Sequence, residues 1–113
     1  MEMDKELKQI NGFIGTTKYY NVMGANVTDG VHYIMENGYS WIVTDSIVIL
    51  RMELKKYDFM TVKLKLLLDN KAKMIITDGN DKVLYTQDYN YTDAKKDLTM
   101  FYTNNVLMLD SEY

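Results

Sequence analysis

The sequence predicts an α+β fold in which two to three N-terminal helices pack on one face of a roughly five-stranded antiparallel β-meander. Three observations carry this. Apolar residues recur at helical spacing as far as Leu54, and from Met60 the period switches to two. Glycine, asparagine and aspartate fall between the apolar runs, where turns are needed. Helices first and strands afterwards, without alternation, is the α+β pattern. The 113 residues suit a single domain, 1–113, and 47% apolar with 26% charged residues is globular composition.

Met3, Leu7 and Ile10 stand at i, i+4 and i+7, one stripe of a short helix over Asp4 to Asn11 that Gly12 and Gly15 break. Phe13 to Val27 mixes turn formers with aromatics and reads as irregular, with room for one short strand. Thr28-Asp29-Gly30 opens the next helix with a capping side chain and an acid at the positive end of the dipole. Gly38 stops it, and Ser40 caps a further helix reaching Leu54, with Val43, Ile47, Leu50 and Leu54 on one stripe widened by Trp41, Ile42, Val48 and Ile49.

Met60, Val62, Leu64, Leu66 and Leu68 then alternate with Thr61, Lys63, Lys65 and Leu67, a strand with one wet face. Asp69-Asn70 turns into a second strand, Ala72 to Thr77, and Asp78-Gly79-Asn80-Asp81 into a third, Val83 to Tyr91. Thr92 to Lys96 is a loop, and a last hairpin turns at Asn104-Asn105. The helices should cover the side bearing Val62, Leu64 and Leu66. The later strands are apolar on both faces, so the second face needs a cover, either the Phe13–Val27 segment or another chain. The final strand is expected to be an edge, giving a possible homodimer or a docking site for a host protein.

The charge-mixed N-terminus, Met1 to Lys8, is not a secretory signal, and the longest uncharged run, Leu98 to Leu109, is too short to span a bilayer. A cytoplasmic protein is expected, that of the host cell if the gene is a phage's. No cysteine means no disulfide, zinc ribbon or thiol nucleophile. A net charge of −3 does not suggest electrostatic capture of nucleic acid. Twelve lysines against one arginine, no proline and abundant Asn, Ile, Tyr and Met track A/T-rich codons.

Candidate chemistry is sparse. Asp78-Gly79-Asn80-Asp81 suggests calcium until Tyr89 is found where a closing glutamate belongs, so it reads as a turn. His32, the one histidine, lies beside Asp29 and Tyr33 without further ligands. Ser40, Ser46 and Ser111 sit in no nucleophile elbow. Asp45, inside the apolar helix, is either its wet edge or a break in it. No catalytic residue, metal site or cofactor is expected. Tyrosine is the strongest compositional signal, with ten residues. It serves core packing first and recognition second.

Phe13-Ile14-Gly15-Thr16, Tyr19-Tyr20, Thr28-Asp29-Gly30-Val31-His32-Tyr33, Gly38-Tyr39-Ser40-Trp41-Ile42, Lys63-Leu64, Thr77-Asp78-Gly79-Asn80, Tyr91-Thr92-Asp93 and Ser111-Glu112-Tyr113 follow one another in this order. In this the chain resembles a family of short bacterial, plasmid and phage proteins catalogued only as a domain of unknown function. The resemblance implies an accessory protein of mobile elements and no activity. Asn21-Val22 depart from it, standing where a basic-histidine pair is usual.

The leading functional expectation is a non-enzymatic phage or mobile-element protein that binds and modulates a host protein, an anti-defence inhibitor being its leading form. The binding candidates are Tyr19, Tyr20, Asp29, His32, Trp41, Tyr85, Tyr89, Tyr91 and Phe101. The rival is an enzyme or small-ligand binder with a site between the Phe13–Tyr20 loop and the helix start at Thr28, walled by Tyr19, Tyr20, His32 and Trp41. Nucleic-acid binding ranks third and needs Lys55, Lys56, Lys63, Lys65, Lys71 and Lys73 to form one patch.

Overall fold

The computed structural model describes residues 18–113. The helix expected over Asp4 to Asn11, its breaks at Gly12 and Gly15, and the segment from Phe13 to Thr17 lie outside the described residues.

Among the described residues the chain forms a seven-stranded sheet and a 24-residue helical segment. Strands β1 (Tyr20–Val22) and β2 (Ala25–Val27) make a tight hairpin. Both turn residues, Met23 and Gly24, have positive φ, at 52° and 91°, the turn geometry whose twist suits a two-residue hairpin. The helical segment follows as α1 (Asp29–Ile34), a π-type turn (Met35–Tyr39) and α2 (Ser40–Met52). Five strands complete the sheet: β3 (Phe59–Leu66), β4 (Ala72–Asp78), β5 (Val83–Tyr89), β6 (Leu98–Thr103) and β7 (Val106–Leu109).

The two expected helices are thus one kinked segment. Gly38, at φ 98°, and Asn37 leave helical geometry, as a stop signal requires. The Asn37 side chain donates to the Tyr33 carbonyl, however, and the helix resumes at once. The stripe Val43, Ile47, Leu50 and Leu54 is buried as its period demands. Ser46 is buried too, donating to the Ile42 carbonyl and lying 3.4 Å from Met74 Sδ, which fixes α2 over β4.

The strand order is β1-β2-β7-β6-β3-β4-β5, and every pair is antiparallel except β2 with β7. This corrects the five-stranded meander in two ways. The expected irregular segment supplies two strands, and β6 pairs with β3 rather than with β5. The connection from β5 crosses the end of the β3–β4 hairpin, where Thr92 N–H donates to Asn70 O and Asp97 accepts from Leu66 N–H. The Tyr39 hydroxyl bonds both the carbonyl and the amide of Lys96 and anchors the crossing.

It also corrects the expected edge. β7 lies between β6 and β2, so both its ladder sides are taken, and the outer strands are β1 and β5. Val62 and Leu64 are buried on the face α2 covers, with Met60, Met74, Ile76, Met100, Leu107 and Leu109. Tyr20–Val27 does not lie on the second face but lengthens the sheet. There Phe59, Phe101 and the C-terminal Tyr113 pack edge to face or tilted, with centroids 5.2–5.5 Å apart. Among the described residues no helix is long and apolar enough to cross a membrane.

Candidate functional site

The helix start at Thr28 is closed by the chain's own C-terminal end. Glu112 accepts from the Thr28 hydroxyl at 2.6 Å, Gly30 N–H at 3.0 Å and Leu109 N–H at 2.9 Å. A carboxylate therefore already satisfies the amides an external anion would use. A Cβ on Gly30 would come within 2.6 Å of Glu112 Oε1, so glycine permits the approach. Asp29 lies in the first turn. His32 stacks on Tyr20 at 3.8 Å and nearly parallel, Glu36 is 3.7 Å from its Nδ1, and Lys18 Nζ lies 5.3 Å from the Tyr20 ring centre. Tyr19 is exposed beside them. Of the expected wall, Tyr20 and His32 come together here, Trp41 packs instead against Tyr89 of β5, and Phe13 to Thr17 lie outside the described residues.

A larger cleft of about 470 Å³ opens between the end of α2 and the β6–β7 turn, lined by Arg51, Lys55, Tyr57, Asp58 and Asn105 among others. Three of its polar side chains, Arg51, Tyr102 and Asn105, are engaged with one another. The Asn105 side chain accepts from Arg51 and from the Tyr102 hydroxyl and donates to Gly24 O, tying three elements together. This is a structural junction.

The lysines do not form one patch. Lys65 and Lys73 face each other across β3 and β4, with Lys63 on the same face, and Lys73 is 3.8 Å from Asp88. Lys55 and Lys56 precede the opposite end of β3. Asp78 makes a turn, accepting from the amides of Asn80 and Lys82. Among the described residues no cluster of His, Asp or Glu could hold a metal ion.

Four of the expected residues gather along β5. Trp41, Asp45, Val48 and Met52 stand at i, i+4, i+7 and i+11, a second stripe of α2 beside the core stripe. Below them Tyr85, Gln87 and Tyr89 alternate along β5 opposite Ile76, Met74 and Ala72. The Trp41 and Tyr89 rings meet edge to face at 4.9 Å, and Trp41 Nε1 donates to Gly38 O. The Tyr89 hydroxyl donates to Asp45 Oδ2 at 2.9 Å, and the Tyr85 hydroxyl lies 3.4 Å from Gln87 Oε1. Burial, and then the Asp45 carboxylate, push Tyr89 well above the ordinary phenol value of 10.0. Tyr89 therefore stays protonated and holds Asp45 in place. Asp45 is the wet edge of the helix rather than a break.

Between the second stripe and the strand runs an open groove of about 270 Å³, lined by Asp45, Val48, Ile49, Glu53, Tyr85 and Gln87. Val48 is 38% and Tyr91, just past the strand, 72% exposed. Val48, Glu53 and Gln87 were not candidates from the sequence. Their signal was the excess width of the apolar stripe, which a single core contact does not need. Phe101 belongs elsewhere, on the second face with Phe59 and Tyr113.

The fold is mixed α+β, with one face of the sheet covered by the helical segment and, among the described residues, β5 as an outer strand beside a groove. The chain belongs to a family of unknown function, DUF6876, whose sequence model matches residues 3–113. No curated protein and no solved structure matches it.

Proposed function

We propose that this is a non-enzymatic accessory protein of a phage or other mobile element that binds and modulates a host protein, as an inhibitor of host defence would, and that it binds through the open side of its sheet. The observation that supports this reading is the groove beside β5. It combines exposed apolar surface at Val48 with the Tyr85 ring and an oriented carboxylate, Asp45, which the Tyr89 hydroxyl holds from beside the groove. Rigid aromatics beside exposed apolar area are the ingredients of recognition surfaces. The resemblance in sequence order and the A/T-biased residue usage support the mobile-element origin.

The test is site-specific photocrosslinking in bacterial cytoplasm. A photoreactive phenylalanine analogue at position 48 should yield a discrete adduct with another protein. The same group at Met23, exposed on the opposite hairpin, should yield none. Absence of an adduct at position 48, or equal adducts at both positions, would overturn the reading.

A further inference from the structure

The backbone of β5 sets the direction of the main-chain groups beside the groove. Hydrogen bonding alternates along an antiparallel pair, so one bonded pair fixes the phase of the rest. Leu67 N–H donates to Lys71 O at 2.8 Å, continuing the β3–β4 register beyond Leu66 and Ala72. The bonded pairs are then Lys65 with Lys73 and Lys63 with Ile75. The main-chain groups of Ala72, Met74 and Ile76 therefore turn toward β5 and meet Tyr89, Gln87 and Tyr85. The amides and carbonyls of Thr86 and Asp88 point away from the sheet, and no described strand pairs with them.

We infer that β5 accepts an extended segment of another polypeptide as an eighth strand, hydrogen-bonded to Thr86 and Asp88, with a basic-x-apolar-x-basic pattern facing α2. The inference rests on the reading of this side of the sheet as the binding surface. A strand added here places alternate side chains beside Tyr85, Gln87 and Tyr89, under the exposed stripe of α2. The groove wall on this side carries Asp45 from the stripe and Glu53, the residue just past the end of α2, with Val48 and Ile49 between them in sequence. Eight residues of helix rise about 12 Å. Four residues of strand span about 13 Å. Two basic side chains four residues apart thus match the two carboxylates, and the apolar residue between them meets Val48. Charge also selects against a second copy of this chain, which would bring its own Asp45 and Glu53 toward those already there.

The probe is an acetylated, amidated heptapeptide of threonine at odd positions, lysine at the second and sixth, and valine at the fourth. Amide exchange and chemical shifts of the full chain follow its binding. Saturable binding is expected, with Thr86 and Asp88 amides gaining protection at least tenfold. Replacing both lysines by glutamate, or both carboxylates by Asp45→Asn with Glu53→Gln, should weaken binding fivefold or more. Thr86→Pro should abolish it while leaving the unbound fold intact. No saturable binding overturns the proposal, as does binding without protection of Thr86 and Asp88. Protection of these amides in the free chain at every dilution would show them occupied by the chain's own residues. Protection lost on dilution would show a second copy. An adduct at position 48 that survives Thr86→Pro would leave the binding surface standing and sink strand addition alone.

Discussion

On one side the sheet ends in β1, three residues long, and on the other in β5, seven residues long. The short strand belongs to a hairpin fastened from three directions. Tyr20 stacks on His32 of α1, the Arg51 guanidinium lies against Gly24, and Asn105 bonds the Gly24 carbonyl. A strand so short offers few free ladder groups to another chain. Among the described residues β5 is paired from one side only. It has a bulge opposite Ile76–Thr77 at its start, but its remaining length is regular and is flanked by the groove. Natural sheets blunt their edges to avoid unwanted pairing, and here one edge is blunted by shortness while the other keeps a continuous run. An edge left open beside an aromatic, acidic groove fits selective pairing better than a neglected defect.

The largest expected effect tests the phase of the β5 ladder. Gln87→Pro removes an N–H that bonds β4, leaving its acceptor unpaired inside the sheet, so it should cost about 1–3 kcal/mol for that loss alone, with the ring's misfit in the ladder added to it. Thr86→Pro, one residue away, removes an N–H that faces outward and should cost roughly 1 kcal/mol. Denaturant unfolding of both variants measures the difference. Equal costs would mean that the phase is wrong and that Thr86 is not available to a partner.

The next effect concerns the closed side of the molecule. Glu112→Ala strips the anion from the start of α1 and should cost about 1–3 kcal/mol, the range for charged hydrogen bonds in a partly buried setting. Glu112→Gln keeps an acceptor and should recover part of the loss. If Glu112→Ala leaves the unfolding midpoint unchanged, the clamp contributes nothing and the helix start is open to a ligand after all.

What the sequence revealed and what it hid divide along the same line. Local periodicity placed the buried stripe of α2 and the alternation of β3, because each depends on residues a few positions apart. Tyr85 and Tyr89 were candidates for the same reason. The clamp joins Thr28 to Glu112, and the parallel pairing joins Asn26 to Val106, contacts that no window contains. β6 crossed the sheet because the anchor of its incoming loop is Tyr39, 57 residues from Lys96. Gly38 signalled a stop correctly as a local preference. Gly38 does leave helical geometry, at φ 98°, but the chain enters the next helical turn at once, so a kink stands where a stop was expected. Phe101 looked like a binding residue because its partners Phe59 and Tyr113 are remote in sequence.

The smallest effect separates Tyr39, which anchors the crossing loop, and Tyr89, which holds Asp45 of the groove, from an ordinary exposed phenol. Burial raises Tyr39 above 10.0, and burial with the Asp45 contact raises Tyr89 further. In the unfolded chain both phenols ionise near pH 10, whereas the folded chain holds them protonated to higher pH. Between those limits the folded state binds more protons than the unfolded state, so stability falls as pH rises. The contribution is complete below about pH 10 and is lost as pH climbs through the folded values. Tyr89→Phe should cost about 1 kcal/mol at neutral pH through the hydrogen bond to Asp45. Above pH 10 the cost should shrink, because the parent chain is losing the same contribution. Combined with Tyr39→Phe, it should visibly flatten the alkaline limb of a stability profile taken by denaturant titration from pH 7 to 11. Parallel limbs for parent and double variant would show that neither phenol is shielded, and Tyr89 would then not hold the Asp45 carboxylate of the groove in place.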